Sequence, residues 1–285
     1  MMLKRNHYER LRGAASPAGI AVSVLFFLYC GIALYLIPML AVNSFKTKSD
    51  LINNTVGIIK SFTLDNYKTI LFEDHFLRYF FNSVFLTTAS LASLLLVASL
   101  CAYGLSRYKF KGQNFLRIYF LLGMMFPIQL GILPIFIIIR NMHLTNNFLG
   151  MILIYTANMS LPVFIFSNFF RALPNAFYES AVIEGAGEFT IYARIMVPIS
   201  KPVFATVGIL NFVTIWNDFY MPLVFLTRKE VRTLTLGIYR YMNNFLANWH
   251  LVFAAVTLAL IPILIMFFAF SKFMISGLTA GAIKE

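Results

Sequence analysis

The stretch that decides the fold is Tyr178-Glu-Ser-Ala-Val-Ile-Glu-Gly-Ala-Gly187, which continues through Arg194-Ile-Met-Val-Pro-Ile199. It is a short polar segment with three glutamates, and it lies between two long apolar runs. Its role therefore depends on what the runs on either side are, and on what the alternation of apolar and polar segments along the whole chain implies.

The composition indicates a membrane protein. Of 285 residues, 60% are hydrophobic and only 12% are charged, and the mean hydropathy is +0.78. Soluble domains usually carry about a quarter charged residues. Apolar runs of about twenty residues recur along the chain, and each is long enough to cross a hydrocarbon layer roughly 30 Å thick. We predict an all-α polytopic membrane protein.

Six apolar runs predict six transmembrane helices. We expect them at Ala18–Val42, Ser83–Leu105, Phe115–Ile139, Phe148–Phe170, Val203–Leu226 and Leu251–Ser276. Proline removes a backbone donor, so Pro127 and Pro134 would kink the third span and Pro162 would break the fourth. Basic residues precede the first span and follow the second, which places both termini in the cytoplasm of a cell by the positive-inside rule.

The chain then divides into three parts. Residues 1–17 form a cytoplasmic segment, 18–276 form the six-helix transmembrane domain in the plasma (inner) membrane, and 277–285 form a cytoplasmic tail. The domain has a core at 82–276 and a cytoplasmic loop at 171–201. The net charge of +12 sits in loops beside the spans, where it suits anionic lipid headgroups and gives no reason to expect nucleic acid.

The polar segment at 171–201 predicts two short helices. Asn175 is a plausible N-cap, and Glu179 would lie near the helix start, where the positive end of the dipole favours a carboxylate. Ala181 and Gly185, four residues apart, would share one face and form a notch that another surface can approach closely. A second helix would run from Phe189 to Val197 and stop at Pro198.

The same segment offers no catalytic chemistry. It contains no nucleophile–base pair, and three carboxylates without His or Cys make a poor transition-metal site. It could be an ordinary amphipathic loop at the membrane surface or a knob on which another protein docks. We favour the docking knob, and we predict no metal site.

The spacing Glu179-x-Ala-x3-Gly-x9-Ile-x-x-Pro198 resembles the "EAA" loop in the permeases of binding-protein-dependent (type I) ABC importers. Ser180, Glu184 and Val197 depart mildly from the usual Ala, Asp and Leu. Two further stretches are similar to carbohydrate permeases of the maltose-transporter type. They are Asn211-Phe-Val-Thr-Ile-Trp-Asn-Asp-Phe-Tyr-Met-Pro-Leu223 and the tail Gly277-Leu-Thr-Ala-Gly-Ala-Ile283.

The resemblance, which covers about Asn82 to Glu285, implies a complex. A homologous second permease, an ABC ATPase dimer and an extracellular solute-binding protein would be the partners, with membrane lipid around them. The chain has no Gly-Lys-Ser/Thr phosphate loop, so it would be no enzyme, would hold no cofactor, and would leave ATP and Mg to the ATPase. The residues expected to couple to the ATPase are Glu179, Ser180, Ala181, Glu184, Gly185, Ala186, Gly187, Ile195 and Pro198.

Polar groups inside the fifth span are candidates for the substrate pathway, because they are costly in lipid. The candidates are Asn211, Trp216, Asn217, Asp218 and Tyr220. Amides and carboxylates would bond sugar hydroxyls, and aromatic faces would cover the apolar face of a sugar. Hydrogen bonding between helices is the competing explanation, equally good for Asp218 and better for Gln129 and Asn158. Candidates to face the binding protein are Tyr239, Tyr241, Asn243 and Asn244.

Other functions fit less well. We expect the cargo to be a sugar of oligosaccharide size. The main alternative is an ABC importer for a peptide, phosphonate or oxyanion, which would share the EAA loop. The Trp216-Asn217-Asp218 sequence and the lack of basic residues within the spans favour a neutral sugar. An intramembrane protease would need paired aspartates or a known nucleophile motif, and neither is present.

Overall fold

The computed structural model describes residues 17–73, 75–242 and 248–282. The described residues are helices and connecting loops, with one isolated antiparallel bridge between Lys46 and Phe62 and no strand among them. The helices are α1 (Pro17–Ser44), α2 (Lys48–Asn53), α3 (Asp65–Lys68), α4 (Phe76–Arg107), α5 (Gln113–Met125), α6 (Ile132–Asn141), α7 (Phe148–Ala157), α8 (Ser160–Ala172), α9 (Ala176–Ile183), α10 (Glu188–Ile199), α11 (Lys201–Trp216), α12 (Tyr220–Phe225), α13 (Leu234–Met242) and α14 (Trp249–Ala282).

Among the described residues, three helices are long and apolar enough to cross a membrane alone, namely α1, α4 and α14. Three more crossings are possible as bent pairs, α5 with the 128–141 segment at 96°, α7 with α8 at 49°, and α10 with α11 at 77°. Counting each pair as one crossing gives six, the number the hydropathy predicts. The basic residues at 4–12 and the last tail residues, 283–285, lie outside the described residues.

The positions of the helix breaks correct the sequence prediction in the fourth span. The third span breaks before Pro127, as expected, because the residue before a proline avoids the α region, and Phe126 is extended with φ −95° and ψ 118°. The fourth span breaks at Asn158 and Met159 and continues through Pro162. Pro162 is the third residue of α8, where the missing N–H would have had no helical partner.

The fifth span is also broken, where the sequence predicted one continuous helix. We expected one helix over Val203–Leu226, but α11 ends at Trp216 and the separate α12 begins at Tyr220. Asp218 therefore lies in the break between α11 and α12, and it is not part of a continuous apolar helix. In such a break, a carboxylate can accept backbone N–H groups that a helix would otherwise use itself.

The described residues fall into two compact units, 17–73 with 241–242 and 248–258, and 75–240 with 259–282. In the first, Lys46 is fully buried and its ammonium donates to the carbonyls of Asn54 and Gly57, both at 2.6 Å. The backbone N–H of Ser61 and then that of Lys60 hold the pKa of Asp50 below its ordinary value, although burial opposes them. The segment after α1 is thus a folded polar module.

The second unit has a core that includes the central loop. Its buried residues come from α4, α8, α9, α10 and α11, and they include Ala102, Phe166, Ala181, Ile191 and Val207. Ile191 and Phe166 have no exposed surface. The loop is consequently built into the helix bundle by its inner side, and only its outer side is available to another protein.

Candidate functional site

The first helix of the loop, α9, starts where the sequence predicts but is capped differently. Asn175 is the N-cap residue, yet its side chain makes no capping hydrogen bond. Its Oδ1 instead accepts a hydrogen bond of 3.0 Å from Nη1 of Arg107, at the end of α4. Glu179 lies in the first turn and is exposed, where the helix dipole favours its charge.

The C-terminus of α9 overturns the predicted notch. The helix ends at Ile183, and Gly185 follows with φ +78°. The N–H of Ala186 donates to the carbonyl of Ala181, and the N–H of Gly185 donates to that of Val182, both at 3.0 Å. This is a Schellman motif, which satisfies the last carbonyls of a helix and requires a left-handed residue. Ala181 and Gly185 therefore do not share a helical face.

The alanines of the motif point inward. Ala181 is 4% exposed and belongs to the core, and Ala186 packs against the same core. The small residues therefore allow the loop to pack closely on its own bundle, and they provide no docking surface. Ser180, Glu184 and Gly187 are exposed, and Gly187 is the N-cap residue of α10.

The outer side of the loop carries four exposed apolar residues that the sequence reasoning missed. Ile183 is 86% exposed and Phe189 is 75% exposed, and the other two are Val182 and Phe177. We call these four residues the exposed apolar set. Exposed large hydrophobic groups next to charged ones mark interaction sites in water-facing segments. The sequence did contain a signal for this surface, namely the apolar pair Val182-Ile183 between Glu179 and Glu184.

The second helix, α10, does not stop at Pro198. Its middle turn, Tyr192–Met196, is a π-helix in which the N–H of Val197 donates to the carbonyl of Tyr192. The wider π turn relieves the clash that a proline ring makes with the carbonyl four residues earlier. The helix continues to Ile199, and the chain bends by 77° before α11. Ile195 is half-buried against the core.

Glu188, the first residue of α10, is held by three tyrosines. The hydroxyl of Tyr103 donates to Oε2 at 2.8 Å and the hydroxyl of Tyr178 donates to Oε1 at 2.5 Å, while Tyr108 interacts electrostatically with the same carboxylate. We call these four residues the tyrosine cage. Because Tyr103 is on α4 and Tyr178 is on α9, the carboxylate joins a spanning helix to both helices of the loop.

The cage keeps its protonation state over a wide pH range. Partial burial tends to raise the pKa of Glu188, but the tyrosine donors outweigh it and the pKa lies below the ordinary value of 4.5. Burial and then the Glu188 carboxylate raise the pKa of Tyr108 to about 12. The hydrogen bond to Glu188 likewise raises the pKa of Tyr178 above 10.0. Carboxylate and phenols are therefore the stable forms at neutral pH.

Arg107 makes a second connection between α4 and the loop. Beside its bond to Asn175, its Nη2 lies 3.7 Å from the sulfur of Met196 on α10. Its guanidinium carbon lies 6.0 Å from the ring centroid of Tyr178 on α9, within cation–π range. Together with the tyrosine cage, Arg107 connects the loop to the end of α4.

Gly185 gives a test of the corrected geometry. The space around a Cβ at this position is open, so the constraint is the backbone and not crowding. We expect Gly185→Asn to be tolerated, and Gly185→Val to cost about 1–2 kcal/mol in stability, because a β-branched residue disfavours a positive φ. Thermal unfolding of the purified permease checks this. Equal melting of the Asn and Val variants would contradict it.

Asp218 is tied into the structure by three elements. Its Oδ1 accepts from the N–H of Tyr220 at 2.9 Å and from that of Met221 at 3.3 Å, at the start of α12. Its Oδ2 accepts from the hydroxyl of Tyr155 on α7 at 2.8 Å. Its carbonyl accepts from Thr235 on α13 at 2.9 Å. These bonds support the packing role of Asp218, and its pathway role stays a prediction.

The other substrate-pathway candidates of the fifth span differ in exposure. Trp216 is 4% exposed, its Nε1 donates to the carbonyl of Ala259, and its ring stacks on Phe212. Burial covers the ring face that a sugar would need, so this part of the prediction is corrected for Trp216. Asn211 donates to the carbonyl of Val207 one turn earlier. Asn217 and Tyr220 are exposed, and their pathway role stays a prediction.

Substitutions of Asp218 separate capping from charge. We expect Asp218→Asn to keep the Oδ1 bonds and lower stability slightly, and Asp218→Ala to cost about 1–3 kcal/mol, since it removes the cap and leaves the Tyr155 hydroxyl without its acceptor. Melting temperatures in one detergent give the measurement, with exposed Asp65→Ala as control. An alanine variant as stable as the parent would show that the hydrogen bonds of the Asp218 carboxylate do not contribute to stability.

The residues expected to face a binding protein are only partly described. Tyr239 is 44% exposed on α13, with its ring centroid 4.9 Å from that of Phe219, and Tyr241 is half-buried. Asn243 and Asn244 lie outside the described residues. Within the described ranges, no group of three or more His, Cys, Asp or Glu side chains could hold a metal ion.

Known proteins resemble this chain over most of its length. It is 34% identical to the arabinooligosaccharides transport system permease protein AraQ of Bacillus subtilis, over 91% of this chain and 94% of that protein. It is 32% identical to the diacetylchitobiose uptake system permease protein DasC of Streptomyces coelicolor, over 99% of this chain and 100% of that protein.

A solved structure supports the fold. The chain aligns with a subunit of a bacterial ABC transporter involved in the import of the acidic polysaccharide alginate, with a TM-score of 0.81 and 22% identity over 90% of this chain and 96% of that one. The predicted fold class, an all-α type I ABC importer transmembrane domain, is confirmed. The profile of one family matches residues 76–279. The chain belongs to the family of inner membrane components of binding-protein-dependent transport systems.

Proposed function

We propose that this protein is a permease subunit of an ATP-driven importer that carries an oligosaccharide. The relatives supply the main support, because several that align with most of the chain are named for arabinooligosaccharides, diacetylchitobiose or starch degradation products. Their shared chemistry is a neutral sugar polymer of a few units. A peptide, phosphonate or oxyanion would be the cargo in the alternative.

Its partners would be a homologous second permease, an ABC ATPase dimer and an extracellular solute-binding protein. The family description names a binding-protein-dependent system, which supports the last of these. The chain contains no phosphate loop, so ATP and Mg would be bound by the ATPase, and this chain would perform no ATP chemistry. Both termini and the loop at 171–201 would lie in the cytoplasm, where the ATPase is.

The exposed apolar set would dock in the ATPase. Ile183 and Phe189 offer large hydrophobic side chains that a groove can bury, and such groups dominate the energy of interfaces. The glutamates of the motif would surround them as a polar rim. The corrected geometry thus replaces the predicted notch at Ala181 and Gly185 with a protruding apolar surface.

The loop would transmit force to the membrane through α4. When the two halves of an ATPase close on ATP, a loop docked in each half is displaced. The tyrosine cage and Arg107 join the loop to the end of α4, so the displacement would tilt a spanning helix instead of bending the loop alone. That motion would alternate access to the pathway between the two sides.

Uptake by the reconstituted system tests the proposal. The chain, with its second permease and ATPase, is placed in proteoliposomes with a candidate solute-binding protein outside and ATP inside. We expect labelled oligosaccharide to enter only when ATP and binding protein are both present. Entry of a peptide or an oxyanion instead, with no entry of any sugar in a panel, would support the alternative cargo and overturn the sugar proposal.

A further inference from the structure

Two helix breaks at membrane depth open into adjoining cavities. One break lies between α5 and the 128–141 segment, and the other lies between α7 and α8. Cavities of about 390 and 490 Å³ adjoin there, and they share four lining residues. The shared residues are Gly123, Phe126, Ala157 and Ser160. We call the combined space the break groove.

The helices approach closely at this point. A Cβ at Gly123 would lie 2.5 Å from Oγ of Ser160, so a side chain there would push the two helices apart. Pro127 has no N–H to give to the carbonyl of Gly123, four residues earlier. The Gly123 carbonyl therefore has no N–H donor at position 127, and it lies where the two helices meet.

Two amide side chains at the breaks have no hydrogen bond to the described residues. Asn158 lines the break groove and is exposed, and Gln129 is exposed two residues after Pro127. A polar group without a partner is costly in hydrocarbon, and irregular backbone at membrane depth occurs where it lines a water-filled cavity or is covered by protein. A polar molecule in the break groove would satisfy the Asn158 amide, whereas lipid would leave it without a partner.

The lining of the break groove suits a sugar. Asn158 and Ser160 can bond hydroxyl groups, while Tyr119 and Phe126 are 61% and 69% exposed and present aromatic faces. No charged side chain lines either cavity. A phosphonate or an acidic cargo would find no counter-charge there, whereas a neutral sugar needs none.

We propose that the break groove is a sugar-contact site on the translocation pathway, in which the Asn158 amide bonds sugar hydroxyls and the rings of Tyr119 and Phe126 cover the apolar sugar face. The inference rests on the proposed sugar import, and it places the contact on the third and fourth spans, where sequence reasoning expected amides to serve packing.

The test compares Asn158→Leu with Asn141→Leu in the reconstituted importer. Asn141, the last residue of α6, carries the same exposed amide but does not line the groove. One lost hydrogen bond corresponds to roughly a three- to tenfold effect. We expect Asn158→Leu to lower the sugar transported per ATP hydrolysed by about that factor, with ATPase stimulation by the binding protein retained. Asn141→Leu should match the parent.

Cysteine protection provides an arm that does not depend on the leucine variant assembling. Cys30 and Cys101, the two native cysteines, are replaced and Asn158→Cys is introduced. We expect a small maleimide to label it, and the transported oligosaccharide, added with binding protein, to slow labelling. Labelling that sugar leaves unchanged, or a normal transport ratio in Asn158→Leu, overturns the proposal. A parent complex that imports no sugar overturns the proposed function instead.

Discussion

Ile183→Asp is expected to abolish uptake and to detach the ATPase from the permease. Ile183 is 86% exposed at the end of α9 and so is free to be buried by a partner. Burying an unpaired carboxylate in an apolar groove costs several kcal/mol, and about 3 kcal/mol already corresponds to more than a hundredfold loss of affinity. Because the side chain makes so few contacts within the chain, folding of the permease itself should be unchanged.

Co-purification of the ATPase with a tagged permease measures this effect. The matched control is Ile58→Asp, since Ile58 is 87% exposed in the segment between α2 and α3. The control should retain the ATPase at the level of the parent. If Ile183→Asp retains the ATPase fully and still supports ATP-dependent uptake, the exposed apolar set is not part of the coupling interface.

Glu188→Leu is expected to separate ATP hydrolysis from transport. The leucine keeps the size of the side chain but removes the acceptor that joins Tyr103 on α4 to Tyr178 on α9. Hydrogen bonds to a charged group contribute about 1.5–3 kcal/mol where they are buried and less where they are partly exposed, as here. We expect the sugar transported per ATP to fall roughly tenfold, while the ATPase remains bound.

Graded variants distinguish a positioning role from loss of folding. Tyr178→Phe removes one donor and should give a smaller loss than Glu188→Leu, and Glu188→Gln, which keeps an acceptor oxygen, should recover part of it. The control is Glu230→Leu, an exposed acid in the segment after α12. Uptake and ATPase rates are measured on the same preparations. A parallel fall of both rates in every variant would contradict a coupling role.

The cage also predicts a pH profile. The pKa of Glu188 is lowered, so its stabilisation is fully present above 4.5 and is lost as the pH falls through its folded-state pKa. The pKa values of Tyr108 and Tyr178 are raised, so both phenols still donate at pH values up to about 10. The ratio of transport to hydrolysis should therefore stay constant between about pH 5 and 9 in the parent.

The sequence by itself determined that the chain is an all-α membrane protein and where the loop at 171–201 lies along it. Hydropathy over about twenty residues is a local property, and it is read from the chain without knowledge of any contact. The spacing from Glu179 to Pro198 is local as well, and it was enough to identify the family. The predicted ends of the helices were less accurate, because the third, fourth and fifth spans are each broken into two helices.

Only the tertiary structure decided which side of the loop faces outward. Ala181 is buried in a core that also contains residues of α4 and α8, whereas Ile183 is left exposed by the described residues. Asp218 and Tyr155 are 63 residues apart in the sequence. The two helix breaks that form the groove are more than thirty residues apart. Burial and hydrogen bonding depend on elements distant in sequence, so spacing alone cannot separate a docking residue from a packing residue.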